Sequence, residues 1–83
     1  MKAAEEVAQI VMERMKESGH QHAVRIDRRE LTRISGVLPI LIEEIRKKLA
    51  MESLAFSEMP TGGFAVTSPA LFADAPVLSL MRP

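Results

Sequence analysis

His20 and His22 form an H-x-H pair, a spacing that can present two imidazoles to one metal ion. No third ligand stands at a recognisable spacing. The chain has no cysteine, so thiolate zinc sites and disulfides are both excluded. Thr61-Gly62-Gly63 is glycine-rich, but it lacks the lysine and the strand-to-helix setting of a phosphate loop and reads as a hairpin turn. No Ser/His/Asp constellation is suggested by spacing. The chain is therefore expected to be non-enzymatic, with no metal and no cofactor. Cations are left as the side chains with a chemistry to perform: Arg25, Arg28, Arg29 and Arg33, then Arg46, Lys47 and Lys48. Such groups can neutralise phosphates of duplex DNA without reading much sequence. Equally, the first group can be a solvated face. The second can complement a helix C-terminus, where a cation contributes about 0.3–1 kcal/mol.

The totals bound these options. Lys+Arg 11 against Asp+Glu 11 leaves a formal charge of zero, so any phosphate contact must rest on a local patch. Eighty-three residues suffice for one small domain, and a hydrophobic content of 47% can fill its core, with oligomerisation as a common aid at this size. No apolar run approaches the roughly 20 residues of a membrane span. The opening "MKAAEEVAQIV" carries two glutamates where a signal peptide would be basic and then apolar. A cytoplasmic protein with no membrane contact is expected.

The elements that must position these cations follow from periodicity. Residues 2–18 read as a helix stopped by Gly19. Its apolar residues Ala3, Ala4, Val7, Ala8, Ile10, Val11, Met12 and Met15 cover more than half the circumference. Lys2 falls on the polar remainder. So wide an apolar face suits a central core helix, or one that also meets a second subunit. "HAVRI" (22–26) favours a strand. Asp27 with Glu30 makes a capping-box pattern for a helix from Arg28 to about Ser35. Gly36 turns the chain, and Pro39 suits the first turn of a helix running to about Glu52. Two period-two runs around "PTGG" form a β-hairpin over 54–67, with Leu54, Phe56, Phe64 and Val66 facing inward. Ser68-Pro69 opens a short helix through Asp74, and "VLSLM" then continues as an apolar segment. Residues 69–83 are thus a tail expected to lie on the domain or on a partner.

Helix, short strand, helix, turn, helix and hairpin, in that order, resemble the winged helix-turn-helix superfamily over residues 3–68. The resemblance rests on Leu31, on Gly36–Val37 at the turn, on Ile42 and Ile45 in the following helix, and on the hairpin in the wing position. It implies an α+β fold, a small winged-helix domain over residues 1–68 with an apolar C-terminal tail. It also implies DNA binding of the kind transcription regulators perform. Two positions depart from the pattern: Thr32 stands where Ala is usual, and Ser35 where an apolar residue precedes the turn. Both are expected to loosen the helix–helix contact.

In such proteins the helix at 39–52 usually enters the major groove. Here its core side is Leu38, Leu41, Ile42, Ile45 and Leu49, and its outer side is Ile40, Glu43, Glu44, Lys47 and Met51. The outer side has no Arg, Asn or Gln to read base edges, and its carboxylates oppose phosphates. Two functions therefore stand side by side. One is duplex DNA binding through Arg25, Arg28, Arg29, Arg33, Lys47 and Lys48. The other is a protein–protein adaptor using Ile40, Glu43, Glu44 and Met51, since exposed Met and Ile with flanking charge suit adaptable contacts. The broad apolar face of the first helix and the "VLSLM" tail add the expectation of a homodimer.

Overall fold

The computed structural model describes residues 3–36 and 39–81; Lys2, Val37 and Leu38, placed above on a polar face, in a turn and on a core side, lie outside the described residues. Helix α1 spans Ala4–Ser18. Glu5 and Glu6 in its first turn and Lys16 in its last complement the helix dipole. Gly19 ends it in the left-handed conformation (φ 78°), donating its backbone N–H to the Lys16 carbonyl. Val7, Ala8, Val11 and Met15 are buried, Ala4 and Met12 pack at the margin of the core, and Ala3 is exposed. The face α1 commits to the core is thus narrower than its apolar circumference.

Strand β1 (Ala23–Ile26) leads into α2 (Arg28–Ile34). Asp27 caps α2 as its sequence foretells, its carboxylate accepting from the Arg29 N–H at 2.8 Å. The return bond from Glu30 that would complete a capping box is not made. Ser35 departs from expectation. It is 1% exposed, and its hydroxyl lies 3.1 Å from both the Leu31 and the Gly36 carbonyl oxygens. A buried hydroxyl with a partner costs little, so Ser35 is accommodated at the end of α2. Thr32 is exposed and donates its hydroxyl to the Arg28 carbonyl at 2.8 Å.

Helix α3 (Pro39–Ala50) buries Ile42, Ile45 and Leu49 and packs against α1. Its end is a Schellman motif: Leu54 N–H donates to the Leu49 carbonyl and Ser53 N–H to that of Ala50, both at 3.0 Å. Ser53 occupies the left-handed position at φ 60°, where glycine is usual. Strands β2 (Ala55–Glu58) and β3 (Phe64–Thr67) follow. The sheet is antiparallel in the order β1-β3-β2, with Val24 and Phe56 both opposite Val66. Phe56, Phe64 and Val66 are buried and Leu54 is half-buried, as the alternation requires. The rings of Phe56 and Phe64, diagonal neighbours across the ladder, stack at 5.0 Å.

The described residues thus form a small α+β fold of three α-helices and a three-stranded antiparallel sheet. Beyond β3, Ser68 caps a 3-10 turn over Pro69–Phe72, shorter than the helix expected to reach Asp74. From Ala75 to Met81 the chain forms no regular element, and Val77, Leu78, Leu80 and Met81 are all exposed.

Candidate nucleic-acid interface

The corner where β1 passes into α2 is built by two local choices. Asp27 fixes the first turn of α2, so Arg28 and Arg29 leave the chain there, and Arg33 recurs one turn after Arg29 on the same face. Gly63 lets the hairpin turn come close. A Cβ at this position would lie 2.8 Å from the Ile26 carbonyl oxygen, and φ is 82°. Both facts demand glycine. Between the turn and α2 lies an open concavity of about 840 Å³, whose walls carry Arg25, Arg28, Arg29 and Arg33 on one side and Met59, Thr61, Gly62 and Gly63 on the other.

These four arginines are not equivalent. Arg28 is fastened: its guanidinium is 3.0 Å from the Glu58 carboxylate and 5.1 Å from the centre of the buried Phe64 ring. The ion pair is half-exposed and worth at most about 1 kcal/mol, and the contact with the ring adds a similar amount. Arg25, Arg29 and Arg33 are exposed and make no ion pair among the described residues. Asp27, also in the wall, commits a carboxylate oxygen to the N–H it caps. Positive charge therefore dominates the concavity although the chain as a whole is neutral.

The cations of α3 do not join this group. Lys47 is exposed, Lys48 half-buried, and neither lines the concavity. Arg46, which the sequence groups with them as a helix-end cation, has a structural task instead. Its Nε donates to the Phe56 carbonyl at 2.9 Å, and its Nη1 is paired with Glu43. One of the carboxylates on the outer face of α3 is thereby partly neutralised, whereas Glu44 makes no ion pair among the described residues. Ile40 and Met51 on that face are 73% and 77% exposed. An arginine three residues after a glutamate hints at the Glu43–Arg46 pair. The backbone contact of Arg46 and the Arg28–Phe64 contact span elements and have no sequence signal.

His20 and His22 are exposed in the loop after α1. Among the described residues no group of three or more His, Cys, Asp or Glu is placed to hold a metal ion. No helix among them is long and apolar enough to cross a membrane. No family model, no curated protein and no solved structure matches the chain.

Proposed function

We propose that the chain is a small non-enzymatic regulatory protein with a winged-helix fold that binds duplex DNA mainly through phosphates. The order helix, strand, helix, helix, strand, strand and the sheet order β1-β3-β2 support the winged-helix reading. One observation carries the DNA reading: four arginines line a single concavity beside the hairpin turn, three of them without an ion pair among the described residues. A face of this kind fixes a backbone in place by charge, with little demand on sequence. Lys47 and Lys48 would add phosphate contacts from the end of α3. The outer face of α3 offers no Arg, Asn or Gln to read bases, so specificity would be low. A cytoplasmic location accompanies this reading.

The adaptor reading has its own observation. Ile40 and Met51 are exposed large apolar residues on the same side of α3. They stand three turns apart, about 16 Å along the axis. With Glu43 and Glu44 between them they would suit a protein partner.

Duplex affinity measured against salt separates the two. Each neutralised phosphate contributes about 0.9 to the log–log slope. Replacing Arg29 and Arg33 together by Ala is expected to flatten the slope by up to about two units. Ile40→Ala with Met51→Ala is expected to leave it unchanged. Undetectable duplex binding at about 50 mM salt, where such contacts are strong, would overturn the DNA reading and leave the adaptor.

A further inference from the structure

A second groove, of about 720 Å³, lies between α1, β1 and α2 and is lined in part by Ile10, Val24, Ile26 and Ile34. Ile10 belongs to the apolar circumference of α1 but is not among the residues that pack on the core; it faces this groove. Three consecutive residues of β1, Val24, Arg25 and Ile26, line it. Successive side chains of a strand point to opposite faces, so a groove touching all three runs along the strand's edge. In the order β1-β3-β2 that edge is an outer one, and it makes no backbone ladder among the described residues. An apolar trough beside an open strand edge is what an added strand requires.

The chain carries a segment of that description. Val77–Met81 lies outside any regular element, is apolar except at Ser79, holds no proline, and is 98, 81, 88 and 83% exposed at Val77, Leu78, Leu80 and Met81. These four side chains are left uncovered by their own domain. As a strand the segment would set Leu78 and Leu80 on one side and Val77, Ser79 and Met81 on the other. The molecule extends 53 × 27 × 23 Å with a radius of gyration of 14.3 Å, against about 12 Å for a compact chain of this length. Charge agrees. Asp74 is the only charged residue over 69–81, and the groove carries Arg14, Arg25 and Arg33 against Glu17 and Glu30.

We propose that the chain forms a homodimer by tail exchange. Residues 77–81 of each copy pair as a strand with the free edge of β1 in the other copy. Leu78 and Leu80 enter the groove beside Ile10, and Asp74 lies toward its arginines. The exchange covers the exposed apolar tail and the open sheet edge in one step. It does not require the DNA reading, although Arg25 and Arg33 line both this groove and the arginine concavity.

The absence of cysteine makes the contact directly testable. Sedimentation equilibrium at tens of micromolar is expected to give a dimer for the full chain. The Leu78→Asp/Leu80→Asp variant, altered only at exposed positions, is expected to be a monomer with an unchanged circular dichroism spectrum. Oxidising a mixture of Leu80→Cys and Ile10→Cys chains is expected to give a disulfide between the two. Leu80→Cys with Glu52→Cys chains should not do so. A monomeric full chain, a dimer that survives the aspartates, or equal cross-linking to position 52 would overturn the proposal. So would an Ile10→Cys/Leu80→Cys chain that cross-links only within itself, since the tail would then occupy its own groove.

Discussion

The β1–α2 corner and the outer face of α3 are both charged surfaces on short helices, yet they are held very differently. At the corner, Asp27 caps the helix, Gly63 admits the hairpin turn, and Arg28 rests against Phe64, so the free arginines stand on a framed surface. On α3 the framing contact runs the other way. Arg46 reaches back to the Phe56 carbonyl and pairs with Glu43, leaving Ile40, Glu44, Lys47 and Met51 projecting without support. The lesson is that sign and number of charges say less than their tethering. At the corner the backbone that bears the arginines is fixed, while the side chains of Arg25, Arg29 and Arg33 stay free to meet an anion.

Phe64 is the largest lever on this contrast. Phe64→Ala removes a fully buried ring that touches both Phe56 and Arg28, and is expected to cost about 3–5 kcal/mol in urea unfolding. If the corner is framed as described, duplex affinity falls with it at concentrations where the variant is still folded. Asp27→Ala is expected to cost about 1 kcal/mol through loss of the cap on α2. It should also loosen Arg28 and Arg29 relative to the turn, which thermal unfolding and duplex binding measured together will register. The smallest effect belongs to the α3 side. Ser53 pays about 1–2 kcal/mol for its left-handed backbone, and glycine returns about 0.4–1 kcal/mol of that in the unfolded chain. Ser53→Gly is therefore expected to raise stability by roughly 0.5 kcal/mol without changing duplex affinity.

Much of the fold is written in local pattern. Gly19, the Asp27 cap, Pro39, and the alternation of Phe56, Phe64 and Val66 each act over a few residues, and each element forms where they direct. What lies between elements was not legible. The pairing of β1 with β3, the seat of Arg28 on Phe64 and the reach of Arg46 to Phe56 join residues far apart in the chain. Ser35 misled because a polar residue before a turn reads as a weak core position. Its hydroxyl found backbone acceptors within one helical turn, a solution that composition does not announce. The arginine grouping was visible as a list, but not as one concavity, because the hairpin turn that forms its far wall lies about thirty residues downstream.

The Arg46 contact has a consequence for how far assembly can go. Both outer strands of a sheet are templates for another chain. Here β2 has a carbonyl occupied by a guanidinium from its own α3, whereas β1 shows no such guard among the described residues. An incoming strand at β2 must first displace that side chain. With one acceptor edge and one donor tail per copy, the proposed exchange would end at two copies where it is reciprocal, and a guarded β2 would leave no second acceptor edge on the sheet.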